Sequence, residues 1–182
     1  MSKNASRRQV LQAGVALTIG GALGLLSPQE ARAKGEPLKV LTVLEGQTLE
    51  AFGDVLLPGA AVAGITHFVD SQLASETPLL MLRYVDFPMP FQAFYQTGLA
   101  ALEGLAKARY AGASFYDLTQ PQQHALVLQI AQSVPEGWDG PPAQLFYFIT
   151  RSDAVDVVYG TQEGFAKLDI PYMPHIAPER TW

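Results

Sequence analysis

Residues 88–112 read PMPFQAFYQTGLAALEGLAKARYAG, and the spacing of their apolar side chains decides the fold class. Phe91, Phe94, Tyr95, Gly98, Leu99, Leu102, Leu105 and Ala106 fall at i, i+3, i+4, i+7, i+8, i+11, i+14 and i+15. That is one continuous stripe along an α-helix. Pro88 and Pro90 stand before its first turn, and Gly112 stands after its last. A stripe of this kind must be covered by other elements of the same domain.

The elements on either side carry helical signals as well. Downstream, Thr119 with Gln122 three residues on, and Pro121 in the first turn, predicts a helix running to about Gln132. A loop of Pro, Gly, Trp138 and Asp139 follows over residues 135–142. Another helix is expected from Ala143 to about Tyr159, broken near Ser152-Asp153 and ended by Gly160. Upstream, Thr42-Val43-Leu44-Glu45 fits a capping box, and Leu49, Phe52, Val55 and Leu56 recur at helical spacing until Pro58-Gly59. Val62, Ile65, Val69 and Leu73 form a second stripe, and Pro78 opens a short apolar segment ending at Leu82. No alternating pattern is long enough to seed a sheet. The expectation is an all-α fold, a single small domain of about five or six helices. An extended tail rich in Pro and aromatic residues should follow.

The N-terminus has a different character. Ser6-Arg7-Arg8-Gln9-Val10-Leu11 places an arginine pair before an uncharged run from Ala13 to Leu26, and Ala31-Arg32-Ala33 supplies small residues at the positions a signal peptidase reads. The arginine pair points to the twin-arginine export route. The plainer alternative is an ordinary secretory leader that happens to hold two arginines. The apolar run is shorter than the ~20 residues that span a bilayer, and the absence of Cys excludes a lipoprotein anchor. The expected division is a leader over residues 1–33, cleaved after Ala33, and a helical domain over residues 34–182 working in the periplasm.

Composition then narrows the function classes. The chain has 12 basic and 17 acidic residues; without Lys3, Arg7, Arg8, Arg32 and Glu30, 8 and 16 remain, a net charge of −8. Such a surface repels nucleic acid and anionic lipid headgroups. With no Cys there is no thiolate-held iron–sulfur cluster, no c-type haem attachment and no disulfide. The twin-arginine route carries folded proteins, usually because a cofactor was inserted first. A chain without cofactor chemistry on such a route is economically explained by a partner that has it.

Candidate chemistry is sparse. His67 and Asp70 sit three apart on the second stripe's helix, so their side chains are neighbours. A solvated polar face or an interface hydrogen bond is the bland reading of that pair. His124 borders an apolar helix face, and His175 lies between prolines. A non-Cys metal enzyme using His67, His124 and His175 is one alternative, but no Glu-x-x-His pair exists for a di-iron bundle. There is no phosphate loop and no nucleophile elbow, and Gly14, Gly20 and Gly21 belong to the leader. No catalytic, cofactor-binding or metal residue is assigned. The tail offers large apolar side chains for a partner: Tyr159, Phe165, Tyr172, Met173 and Trp182, with His175 among them. The Trp138 loop is a further contact candidate. Packing against the chain's own helices is the competing use of each.

Several stretches together resemble a known family. They are residues 49–59 (LEAFGDVLLPG), 63–73 (AGITHFVDSQL), Phe115-Tyr116-Asp117-Leu118, residues 158–165 (VYGTQEGF) and residues 170–176 (IPYMPHI). In order and spacing they are similar to the gluconate 2-dehydrogenase subunit 3 family. The resemblance implies a non-catalytic small subunit of a periplasmic, membrane-associated sugar, polyol or sugar-acid dehydrogenase. It implies a large subunit that is a GMC-type flavoprotein carrying FAD, and often a separate multi-haem cytochrome c subunit. It implies that the small subunit supports maturation of the flavoprotein, carries it through the twin-arginine translocase and stays bound at the periplasmic face of the inner membrane. The family has no settled catalytic motif, so none is carried over. A free-standing periplasmic helical binding protein is the remaining alternative.

Overall fold

Capping and turn chemistry set where each helix begins and ends. The computed structural model describes residues 26–169. Within them lie α1 (Pro28–Lys34), α2 (Val43–Leu56), α3 (Ala60–Ala63), α4 (Ile65–Leu73), α5 (Phe91–Arg109), α6 (Gln120–Gln132), α7 (Ala143–Tyr159) and α8 (Gln162–Lys167). Two 3-10 turns, Met81–Tyr84 and Phe115–Asp117, precede α5 and α6. The described residues contain no strand, so the all-α expectation holds. Only α2, α4, α5, α6 and α7 reach nine residues, which is the expected set of substantial helices.

The caps form as the sequence requires. Thr42 N–H donates to Glu45 Oε2 at 2.7 Å, and Glu45 N–H donates to Thr42 Oγ1 at 3.3 Å. Gln122 reaches back in the same way to accept from Thr119 N–H at 2.9 Å. Each satisfies backbone donors that a helix start leaves free.

Three expectations need correction. The second stripe is not one helix. Gly64, at φ +86°, breaks it into α3 and α4, and Val62 consequently points outward and is 59 % exposed. Helix α7 is not interrupted at Ser152-Asp153, because the Ser152 hydroxyl donates to the Phe148 carbonyl one turn back and Asp153 is buried. Residues after Gly160 are not all irregular. Thr161 accepts from Gly164 N–H at 3.0 Å and starts α8.

The core is built on aromatic rings between α2, α5 and α7. Phe52 of α2 stacks on Phe146 of α7, with centroids 5.4 Å apart and planes 7° apart. Phe115 meets Phe52 edge-on at 6.2 Å, and Phe94 lies 5.9 Å from Phe146. All four are fully buried. Such pairs add to the area they bury. Gly98 makes the arrangement possible: a Cβ there would stand 2.3 Å from the Phe146 ring. The glycine in the middle of the α5 stripe is a slot for an aromatic ring from α7.

Buried acids pin the connections. Tyr95 donates from its hydroxyl to Asp153 Oδ2, while Asp153 Oδ1 accepts from Met81 N–H at 2.9 Å. This joins α5, α7 and the first 3-10 turn. Glu103 accepts from the Thr48 hydroxyl at 2.7 Å and from Phe115 N–H at 2.9 Å, joining α5, α2 and the second 3-10 turn. Burial pushes the Asp153 carboxyl up to about 6, against the lowering effect of its bonds from Met81 and Tyr95, and nearby Asp156 raises it a little further. Burial likewise raises the Tyr95 phenol.

Two outcomes are expected. Gly98→Ala forces the Phe146 ring out of its slot and should destabilise the domain by about 1–3 kcal/mol, the range for overpacking, measured by denaturant unfolding. Asp153, raised in the folded state, holds a proton between pH ~4 and ~6 that the unfolded chain has released. Its contribution is therefore fully present below that window and is lost as pH rises through it, by at most roughly 1.4 kcal/mol per pH unit. Wild type should gain stability relative to Asp153→Asn as pH falls from about 6 to about 4, read from paired melts. A difference that stays flat across this window would contradict the assignment.

Candidate partner-docking surface

His67 and Asp70 do not converge on a ligand. Asp70 is buried at 3 % exposure, so the solvated-face alternative does not apply to it. Its Oδ2 accepts from Lys39 N–H at 2.8 Å, and its Oδ1 accepts from Val40 and Leu41 N–H, each at 2.9 Å. The carboxylate is thus spent on three consecutive backbone donors of the segment entering α2. His67, half-buried, donates from Nε2 to the Glu36 carbonyl at 3.0 Å. The pair closes the α1–α2 connection onto α4. His124 is exposed on α6. Among the described residues no group of three or more His, Asp or Glu side chains is placed to hold a metal ion.

The expected contact residues divide by position. Arg7, Arg8, Tyr172, Met173, His175 and Trp182 lie outside the described residues. Ala31 and Ala33 lie within α1. Trp138 is half-buried against its own chain: Nε1 donates to the Pro141 carbonyl at 2.6 Å, and the ring sits 6.0 Å from Phe146. Its loop serves the core first. Tyr159 is half-buried at the end of α7, packed on the core. Phe165 is half-buried on α8.

Two of the open apolar surfaces among the described residues gather several large side chains. A groove of about 1000 Å³ runs between the start of α1, α3 and the end of α7, and Val62, Phe68, Leu79, Tyr159 and Leu168 line it. Val62, Leu79 and Leu168 are 59 %, 42 % and 47 % exposed, an apolar rim no other described element covers. At its wall, partial burial raises the Asp156 carboxyl above the ordinary range. The second surface is on α7, where Phe148 and Val155 are 47 % and 40 % exposed. They are seven residues apart, two turns along one face. The sequence reading placed partner contacts in the tail, most of which lies outside the described residues, and did not single out this apolar face. The available signal was that α7 is apolar on more than one side: Phe146, Ile149 and Val157 fill the core while Phe148 and Val155 do not.

The described residues thus present packed helices, buried acids bonded to backbone amides of the same chain, and exposed apolar patches. A search of curated proteins and a search of solved structures return no match. A family model described as gluconate 2-dehydrogenase subunit 3 matches residues 44–177, from the first turn of α2 to beyond α8. Because that match takes in every helix of the core and most of the sequence, the chain belongs to the gluconate 2-dehydrogenase subunit 3 family.

Proposed function

We propose that this chain is the non-catalytic small subunit of a periplasmic, membrane-associated dehydrogenase complex. Its partner is an FAD-bearing flavoprotein that oxidises a sugar, polyol or sugar acid. The chain assists maturation of the flavoprotein and takes it through the twin-arginine translocase on its own leader. The observation that carries this reading is the family match over residues 44–177. Two features support it. Arg7-Arg8 stands before an uncharged run, in a chain that has no Cys to hold a cluster or a haem. The exposed Phe148–Val155 face and the groove edged by Val62 and Leu79 offer apolar surface for a partner to cover.

On this reading the division of labour is physical. The large subunit holds the flavin and the substrate pocket. The small subunit provides a preformed helical surface, so little ordering entropy is lost when the two dock. Substrate identity belongs to the flavoprotein and leaves no trace in this chain.

Co-expression with the flavoprotein tests the proposal. Replacing Arg7 and Arg8 by Lys should leave both subunits in the cytoplasm, followed by fractionation and flavin absorbance. A flavoprotein exported and active to the same level without this chain would end the escort reading. Phe148→Asp with Val155→Asp should reduce co-purification at least tenfold while leaving the melting temperature within a few degrees, since neither side chain is in the core.

A further inference from the structure

The small-residue element expected to be cut, Ala31-Arg32-Ala33, is folded. It forms the middle of α1, and α1 is capped at both ends. Ser27 N–H donates to Glu30 Oε2 at 2.8 Å, and Glu30 N–H donates to Ser27 Oγ at 3.2 Å. Gly35, at φ +65°, closes the helix. Its N–H reaches the Arg32 carbonyl at 3.0 Å, and Glu36 N–H reaches the Ala31 carbonyl at 3.0 Å. The backbone groups on either side of the expected cut are therefore engaged within the chain.

The helix is also attached to the body. Arg32 Nη2 donates to Glu50 Oε1 of α2 at 2.7 Å. The Pro28 carbonyl occupies the space a side chain on Gly64 would need, 2.3 Å from where a Cβ would stand. The glycine that breaks α3 from α4 is thus the seat on which α1 rests. Behind α1 the chain is tied twice more, by His67 on Glu36 and by Asp70 on the amides of residues 39–41.

Proteases take their substrates as extended strands that pair through backbone groups. A helix rises 1.5 Å per residue and a strand about 3.3 Å. Residues 31–33 cannot become extended while α1 stays wound between Ser27 and Gly35. We infer that α1 is a latch on processing: the folded domain withholds its own cleavage site, and leader removal waits until α1 leaves Gly64 and Glu50. This rests on the leader reading given under the proposed function. No residue of α1 is buried, so the latch is held by caps, one ion pair and one close backbone contact. Such a segment opens far more often than the core does. The effect is a slowing of the cut, not a bar to it. A chain that folds before export would keep its leader until something draws α1 away from the body.

The test uses the full chain, leader attached and folded in detergent, incubated with a leader peptidase. Cleavage after Ala33 is followed by intact mass, beside a synthetic peptide of residues 1–41 as the unfolded reference. The peptide should be cut at least tenfold faster than the folded chain. Ser27→Ala combined with Glu50→Ala removes a cap and the ion pair without touching Ala31 or Ala33, and should speed cutting of the folded chain several-fold. Equal rates for peptide and folded chain would overturn the latch while leaving the leader intact. A peptide not cut after Ala33 would overturn the leader boundary itself, and the latch with it. Amide hydrogen exchange on the wild-type chain gives a measure that needs no variant. Residues 31–35 should exchange at least tenfold more slowly than in the peptide, and unprotected exchange there would sink the idea.

Discussion

The entry of the Phe146 ring into the space left at Gly98 is the contact on which the rest of the packing depends. It brings α5 and α7 close enough for Phe94 to reach Phe146, and it sets the plane on which Phe52 stacks. Phe52 in turn carries α2 into the core and offers its edge to Phe115. Three helices far apart in sequence are thus oriented by one ring. Close-packed interiors relax only partly around a misplaced group. A shift of this ring would be transmitted to α2, and through α2 to the segment that Asp70 and Glu50 hold.

A second regularity concerns the acids. Asp70, Glu103 and Asp153 are all buried, and each accepts a backbone N–H from a segment between longer helices: residues 39–41, Phe115 and Met81. With acids outnumbering bases, the chain has few cations to pair with them. Backbone donors take much of that place and make each carboxylate directional, while Glu103 also has Lys107 Nζ 3.6 Å from its Oε2. The irregular segments are thereby held without disulfides. These three acids, among the most deeply placed of the described residues, are thus tied into the fold.

What was legible in the sequence was whatever is local. The α5 stripe, the Thr42–Glu45 and Thr119–Gln122 caps and the Pro58-Gly59 stop each depend on residues within a few positions of one another, and each formed as read. Family membership was legible too, because several apolar-and-turn patterns recur in order along the chain. The errors came from contacts made over distance. Asp70 looked solvated because the amides that take its carboxylate, those of residues 39–41, lie far from it in sequence. The second stripe looked like one helix because residues 62–73 keep a helical spacing, whereas the positive φ at Gly64 changes its direction. That glycine is forced by the Pro28 backbone resting on it, thirty-six positions earlier, which no local pattern records. Ser152-Asp153 looked like a break because both types favour turns. Within α7 the serine bonds one turn back, and the aspartate is drawn inward by Tyr95 and Met81. Trp138 was read as a contact candidate with core packing as its competing use, and the structure shows that packing: its indole is held by Pro141 and lies against Phe146.

The absence of cysteine bears on where folding can finish. A secreted domain of this size often relies on disulfides that form only outside the cytoplasm. Here the constraints are aromatic packing, helix caps and carboxylates bonded to backbone amides, and none of them depends on the redox state of the compartment. The domain can reach its final packing before export, as the twin-arginine route proposed for it demands. The same independence means an exposed apolar face such as Phe148–Val155 exists as soon as α7 docks on α5. A flavoprotein loaded with its cofactor in the cytoplasm would meet a finished surface there. The α1 helix completes the logic at the other end of the chain. It folds onto Gly64 and Glu50 as part of the same body, so the proposed leader is joined to a structured segment instead of a free linker. On that reading an address attached in this way is lost more slowly than one on a free linker, which suits an escort for a second chain.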